Sequence, residues 1–262
     1  EHAVNLLAAG KLDPGGVWVA RDGERLVGVQ VCVRLPGRMA FFWLPVAPPP
    51  IADRLAEAGV AWARSAGRKL AQAVASPQGL AFVEPLVRAG FHHVTRMRTL
   101  EHDLHGPSAP PVLDFHVHAY SPETHVDFAT TLLHTYQGTL DFPELDGVRT
   151  ADEILEGHRG QGRFRAEGWR LARIDGEAVG MALLAELGDS LTWELLYLGV
   201  VPAWRQRGIA RRLLAHALDL TRSTLATRLT LAVDSRNTPA RRLYDAFGFV
   251  ETDQAEVYLR LL

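Results

Sequence analysis

In Val200-Val201-Pro202-Ala203-Trp204-Arg205-Gln206-Arg207-Gly208-Ile209-Ala210-Arg211-Arg212 the chain changes character twice. An apolar run from Leu195 to Val201 stops at Pro202. A short loop with two arginines and a glycine follows, and an amphipathic helix over roughly Ile209 to Thr221 opens at once. A strand, a basic glycine-containing turn and a helix N-terminus together form a grip for phosphate, because unpaired backbone N–H groups and the helix dipole both face an anion there. A phosphate-bearing cofactor is therefore the first expectation.

Outward from this stretch, two halves echo each other. Val17 to Gly28 reads as strand, tight turn, strand around Asp22-Gly23, and Trp169 to Gly180 reads the same way around Asp175-Gly176. Asp-Gly between apolar alternations is a strong hairpin signal. Each hairpin leads to a further strand, Met39 to Val46 and Leu191 to Val200, that ends at a proline. A helix follows in each half. Leu55, Ala58 and Trp62 share a stripe in Ile51–Ser65, and Leu213, Leu214, Ala217 and Leu218 share one in Ile209–Leu220. Then come a strand (Lys69–Ala75, Leu229–Asp234) and a short helix ending at Ala89-Gly90-Phe91 or Phe247-Gly248-Phe249, where glycine suits a helix C-terminus. Gly28 and Gly180 are 152 residues apart, and Gly90 and Gly248 are 158 apart. The chain therefore reads as a tandem duplication with drift. His105-Gly106-Pro107-Ser108-Ala109-Pro110-Pro111 reads as the linker, giving domains 1–106 and 112–262. The second begins with a strand near Val112 to Ala119 and two helices, Pro122 to Tyr136 and Thr150 to Gly157. Thr150 and Glu153 are spaced as a capping box.

Bulk properties exclude several classes. The chain has 262 residues and a formal net charge of −2, so no global electrostatic case for nucleic acid exists. Cys32, the single cysteine, reads as a buried strand thiol and rules out an internal disulfide framework, which fits a reducing, cytoplasmic compartment or simple cysteine avoidance. No apolar run approaches ~18 residues, so no membrane span is expected. Glu1-His2-Ala3-Val4 does not resemble a signal peptide.

Val200 to Arg212 resembles the acyl-CoA-binding core of the GNAT superfamily of N-acetyltransferases. That pattern is Arg or Gln, two residues, Gly, one residue, Gly or Ala, met here by Arg205, Gly208 and Ala210. The family's downstream pattern is matched by Asn237-Thr238-Pro239-Ala240-Arg241-Arg242-Leu243-Tyr244-Asp245-Ala246-Phe247-Gly248-Phe249. The resemblance covers residues 112–262 well and the first half only as a degenerate echo. It implies an α/β (α+β) fold of two tandem acyl-CoA N-acyltransferase-like domains, each a mixed twisted sheet flanked by helices. It also implies acetyl-CoA as cofactor, with its pyrophosphate on the backbone N–H groups of Gln206, Arg207, Gly208, Ile209, Ala210 and Arg211, and added charge from Arg205. Pantetheine amides would pair with the strand edge at Leu198, Gly199 and Val200, as an added strand does. Gly199 marks a bulge, a close ligand approach or plain strand irregularity.

The same resemblance places Tyr244 as the acid that protonates the departing sulfur, or as a packing aromatic. Asn237 contacts the cofactor or an ordered water, or caps the last helix. Glu194, the one acid inside the apolar strand, either deprotonates the acceptor ammonium or lies on a solvated face. Tyr197, three positions on, faces away from it unless a bulge intervenes. The expected reaction is direct transfer of acetyl to a primary amine of a small molecule. The alternatives are a non-catalytic CoA-binding or regulatory module, or a protein or peptide N-acetyltransferase. A monomer or homodimer is compatible with a duplication that already supplies two copies.

The first half reads Pro48-Pro49-Pro50 where the second has its phosphate turn, and proline has no N–H to donate. Aligned on Gly90 and Gly248, Leu86 stands for Tyr244 and Gly79 for Asn237. Asp114-Phe115-His116-Val117-His118 matches the start of metal-dependent amidohydrolases. That family needs a long barrel with further ligands, so no metal is expected. Arg163, Arg165 and Arg170 form a basic patch that either reaches the cofactor's 3′-phosphate or is solvated. The acidic loop Gly138–Gly147, with Asp141, Glu144 and Asp146, is expected to line the acceptor entrance and to favour a cationic amine.

Overall fold

The computed structural model describes residues 13–106, 115–188 and 190–262. Its strands are β1 (Val17–Asp22), β2 (Arg25–Leu35), β3 (Met39–Phe42), β4 (Leu70–Ala75), β5 (His92–Asp103), β6 (His116–Ala119), β7 (Arg163–Ile174), β8 (Glu177–Glu186), β9 (Thr192–Val200), β10 (Arg228–Asp234) and β11 (Val250–Leu261). Its helices are α1 (Pro49–Ser65), α2 (Glu84–Arg88), α3 (His125–Tyr136), α4 (Ala151–Arg159), α5 (Ile209–Arg222) and α6 (Thr238–Ala246). Helices flank a mixed sheet, in which the strands follow the hydrogen-bonded order β1-β2-β3-β4-β11-β5-β10-β9-β8-β7-β6. The order is a single one rather than two separate sheets, because β5 and β11 are each shared. Two compact units result, one reaching Arg96 and including Ala255–Leu262, the other Met97–Gln254. Residues 107–111 of the expected 105–111 linker and residues 112–114 of the expected Val112–Ala119 strand lie outside the described residues.

In the first unit, β3 runs parallel to β4, and the end of β11 pairs antiparallel with β4 from Glu256↔Ala75 to Leu261↔Leu70. Cys32, Phe42, Val60, Leu86 and Phe91 form its core beneath α1. Pro48 is the N-cap of α1, and Pro49 and Pro50 are its first residues, so none of these three positions has an N–H to offer.

In the second unit, β5 pairs antiparallel with β10 from Met97↔Asp234 to Asp103↔Arg228. One core joins β9 and β10 to α5 and α6 through Trp193, Leu195, Leu214, Leu218, Leu231 and Phe249. Another joins α3 and α4 to β7 and β8 through Phe128, Leu132, Leu155, Trp169 and Leu183. Full burial of such side chains contributes about 1.5–3 kcal/mol each. The Thr150–Glu153 capping box forms in both directions and starts α4.

The two Asp-Gly hairpins close differently. Asp175 and Gly176 form the two-residue turn of β7–β8, with φ of 50° and 83° and Ile174 paired to Glu177. In the first unit Asp22 pairs with Arg25, so the turn has slipped onto Gly23 and Glu24. Both hairpins carry a register shift at matching places, after Ala20 and after Ala172.

The position of the cleft follows from how β9 and β10 part. They pair in parallel only from Thr192↔Arg228 to Leu195↔Leu231. Beyond Leu195, β9 keeps β8 on one side, out to Val200↔Gly180. Its other edge opens onto a cavity.

Candidate active site

The cavity has a volume of about 470 Å³ and lies wholly within the second unit. It is lined by Leu195 to Val200 of β9, by the turn and first residues of α5, by Asn237, Pro239, Ala240, Leu243 and Tyr244 at and in α6, and by Gly138 to Asp141.

At the turn, Gln206 and Gly208 both take left-handed φ, 62° and 76°. Gly208 is the N-cap of α5, has no side chain to cap the helix, and no acid occupies the first turn. The N–H groups of Ile209, Ala210 and Arg211 therefore lack intrahelical acceptors. Arg211 and Arg212 stand in that first turn, where cations oppose the helix dipole. Arg211 lies over Phe247 at 5.0 Å, Arg207 over Trp204 at 4.7 Å and Arg212 over Phe115 at 5.4 Å. An uncapped N-terminus crowded with cations gains stability when an anion arrives. Together with the open β9 edge, it fits the phosphate and amide parts of a coenzyme A thioester.

Arg205 is engaged elsewhere. Its guanidinium donates to the carbonyls of Thr135 (2.9 Å), Gln137 (2.7 Å) and Gly138 (3.2 Å) at the C-terminus of α3, and its Nε donates to Val200 O at 3.1 Å. The residue staples the end of β9 to the end of α3. Asn237 caps α6, its side-chain oxygen accepting from Ala240 N–H at 3.3 Å, and also lines the cavity. Arg165 and Arg163 meet Glu186 at 2.7 and 3.7 Å and are not part of the cavity lining. His116 and His118 sit on β6 with ring centroids 6.5 Å apart; among the described residues no group of three or more His, Cys, Asp or Glu is placed to hold a metal.

Tyr244 lines the cavity with its ring 5.6 Å from that of Phe249. Burial, reinforced by Asp141, pushes its phenol well above the ordinary range, so the protonated acid is strongly favoured. Glu194 is half-buried in the middle of the sheet, between Ala185 and Thr230, and burial raises its carboxyl. It is not among the cavity-lining residues. The β8–β9 register shifts between Leu183↔Tyr197 and Leu184↔Leu195, which leaves Leu196 as a bulge residue. The bulge turns Tyr197 to the face that Glu194 shares with Leu183, not to the opposite face. Gly199 itself pairs regularly with Met181. A Cβ there would come within 2.7 Å of the Tyr197 ring and 2.9 Å of Thr135, so glycine makes room for a tyrosine rather than for a bulge. Tyr197 in turn shares a 2.6 Å hydrogen bond with Thr135.

The sequence did not foretell how the 138–147 loop is held. Phe142, with φ of 45°, donates its N–H to Asp234 Oδ2 at 3.3 Å, and Asp234 N–H donates to Asp141 Oδ1 at 3.4 Å. Arg236 grips the buried Asp234 and makes a two-pronged pair with Glu144 at 2.6 and 3.0 Å. Arg236 holds the Glu144 carboxyl below its usual range. Burial, with Asp234 adding to it, pushes Asp141 up to about 6.

The fold is similar to that of GCN5-related N-acetyltransferases. Residues 134–249 match the Acetyltransferase (GNAT) family. The fold is similar to that of a GCN5-related N-acetyltransferase from Sphaerobacter thermophilus (TM-score 0.68, 17% identity, 100% of this chain and 85% of that one). It is also similar to a tandem GNAT protein from the clavulanic acid biosynthesis pathway (TM-score 0.58, 18% identity, 98% of this chain and 87% of that one). Among curated relatives, a mycothiol acetyltransferase of Beutenbergia cavernae is 36% identical over 80 residues, 30% of this chain and 27% of that protein. The N-alpha-acetyltransferase RimI of Mycobacterium tuberculosis is 36% identical over 92 residues, 34% of this chain and 56% of that protein. The matched stretches thus span about a quarter and about half of those relatives' lengths. No helix among the described residues is long and apolar enough to cross a membrane.

Proposed function

We propose that the chain is an acetyl-CoA-dependent N-acetyltransferase acting on the primary amine of a small molecule. The observation that carries this is the uncapped N-terminus of α5 at one end of a cleft whose wall is the open edge of β9. When bound there, acetyl-CoA supplies an activated acetyl thioester. Backbone N–H groups from Gln206 to Arg211 hold its pyrophosphate, and Leu198, Gly199 and Val200 offer the strand edge to its amides. Tyr244 holds a proton for the leaving sulfur, and Asn237 borders the same wall. Transfer is direct. Cys32, the single cysteine, is fully buried in the other unit, and burial drives its thiol far above the ordinary range, so it offers no thiolate for an acyl-enzyme.

The first unit is a degenerate copy in this reading. Prolines replace the donors at the start of α1, and Leu86, standing for Tyr244, is buried among Phe42 and Phe91. Both curated relatives are named acetyltransferases, which supports acyl transfer without fixing the acceptor.

The test is thermal unfolding with acetyl-CoA, CoA and ATP, followed by turnover on a panel of primary amines. Acetyl-CoA and CoA at 100 times Kd should stabilise by about 2.7 kcal/mol, and ATP should not. Equal protection by all three, or by none, would overturn the cofactor assignment. Protection without turnover of any amine would leave a binding module in place of an enzyme.

A further inference from the structure

We infer that Asp141 receives the acceptor's ammonium group and takes its proton, which makes a cationic primary amine the substrate class. The inference rests on the acetyltransferase reading above and names the base that the reading leaves open.

Three observations converge on this carboxylate. First, among the described residues that line the cavity, Asp141 is the one acid. Glu194, also an acid with a raised carboxyl, lies outside that lining. Second, neighbouring acids are already committed. Asp234 and Glu144 share Arg236, whereas Asp141 accepts only a long bond from Asp234 N–H on Oδ1. Two carboxylates sharing one guanidinium leave the surroundings short of positive charge, and an incoming ammonium supplies it. Third, Asp141 and Tyr244, the proposed acid, line the same cavity, and the carboxyl lies within electrostatic reach of the phenol. The groups facing it are Asp234 at the end of β10, Arg236 just beyond it, Tyr136 on α3, Tyr197 on β9 and Tyr244 on α6. The three tyrosines are all raised by burial and stay neutral at working pH, so none competes for the proton. The bonds among Phe142, Asp234, Arg236 and Glu144 hold the loop next to Asp141, which lines the cavity. Asp141 is then pre-organised rather than recruited from solvent.

The step balances. The ammonium gives one proton to Asp141. The freed nitrogen lone pair forms the C–N bond at the thioester carbonyl carbon, and the C–S bond breaks. The sulfur takes the Tyr244 proton. The second nitrogen proton, acidic once the C–N bond exists, passes through water to restore the tyrosine. The Asp141 proton leaves to solvent, so the products are amide, thiol and one proton.

The experiment compares wild type, Asp141→Asn, Asp141→Glu and Glu194→Gln, with Asp146→Asn as a control for an exposed acid on the same loop. Probes are a polyamine, an aminoglycoside, glucosamine and a free-N-terminus hexapeptide. Acetyl-CoA should shift the melting temperature equally in all variants. Asp141→Asn should lower kcat by 10²–10⁴-fold. It should also abolish the limb near pH 6 in kcat/KM, and weaken calorimetric binding of the amine to the CoA complex at least tenfold. Asp141→Glu should restore part of the activity, and Asp146→Asn should stay within threefold of wild type. The inference is overturned if Asp141→Asn keeps turnover and amine binding within threefold, or if Glu194→Gln alone removes the pH limb. A wild type that binds acetyl-CoA yet neither acetylates nor binds any probe overturns the enzymatic reading itself, a different outcome from an active Asp141→Asn variant.

Discussion

Replacing Arg205 by alanine separates two roles for one cation. The sequence pattern assigns it to the cofactor's phosphates, but in the fold its guanidinium donates to four carbonyls, those of Thr135, Gln137, Gly138 and Val200. Hydrogen bonds from a charged donor are worth roughly 1.5–3 kcal/mol when buried. Arg205 is only half-buried, so water can replace part of what is lost, and the four bonds share one side chain. The C-terminus of α3 also loses a favourable cation. A loss of about 2–3 kcal/mol in the free protein is the resulting expectation, a fall of roughly 5–10 °C in Tm for a chain of this size. Arg205→Lys should lose about half as much, since one ammonium cannot span carbonyls that a planar guanidinium reaches together. The affinity for acetyl-CoA should fall less than about fivefold, because the backbone amides of the turn remain. Calorimetric Kd and unfolding of the free protein measure the two effects separately. A Tm unchanged within about 1 °C, with Kd weakened more than tenfold, would refute the staple and return Arg205 to the phosphates; tenfold corresponds to about 1.4 kcal/mol of binding.

Gly208→Ala meets no atom nearer than 4.0 Å, so its cost is conformational, about 1–2 kcal/mol for a left-handed residue at φ 76°. The fold should survive while acetyl-CoA affinity falls at least tenfold, and unchanged affinity by calorimetry would contradict the amide grip. Tyr244→Phe keeps the ring against Phe249 and should lower kcat by roughly 10²-fold or more with little change in KM for acetyl-CoA, so full turnover would remove it as the acid. Asp141→Asn should stabilise the free protein in a pH-dependent way. The folded carboxyl is raised to about 6 from 3.8, so folding binds a proton between these values and the ionised side chain is a penalty above them. The gain of the variant over wild type should be absent below about pH 4 and grow through pH 6 toward a ceiling of roughly 3 kcal/mol. A gain independent of pH in denaturant titrations would contradict the shift.

The proposed cofactor end of the cleft was much easier to read from the sequence than the proposed acceptor end, and the reason is chemical. Phosphate is held by backbone amides, which need only a glycine able to turn, a small residue beside it and a helix to follow. Gly208 and Ala210 record those demands in adjacent positions. Whereas α1 buries Ala52, Leu55, Ala56, Gly59, Val60 and Ala63 and leaves the expected Ala58 and Trp62 half-exposed, the helical stripe of α5 and the Thr150 cap were likewise written locally. Three features were not. The sharing of β5 and β11 depends on which strands pair across more than a hundred residues, and no period in either strand records its partner. The Leu196 bulge reverses the facing of Tyr197, yet an apolar strand with one extra residue looks like any apolar strand. Arg205 satisfies a sequence pattern and then spends its donors on a helix end 70 residues earlier.

Asp141 shows the same limit from the side of charge. Asp141, Glu144 and Asp146 are indistinguishable in a loop read by composition, and all three suggest an acidic rim. What separates them is Arg236, 92 residues from Glu144, which takes Glu144 and Asp234 together. Asp141, 93 residues from Asp234, is left with a single long bond and a place in the cavity wall. An acid–base pair needs one group that keeps its proton and another that can accept one near neutral pH. Tyr244 meets the first requirement through burial, and Asp141 meets the second through burial beside a carboxylate that another cation already holds. The two pKa values are set apart by contacts that exist only once the loop has closed on the end of β10. The proposed phosphate grip can therefore form from one continuous segment, whereas the proposed base is made by the tertiary fold.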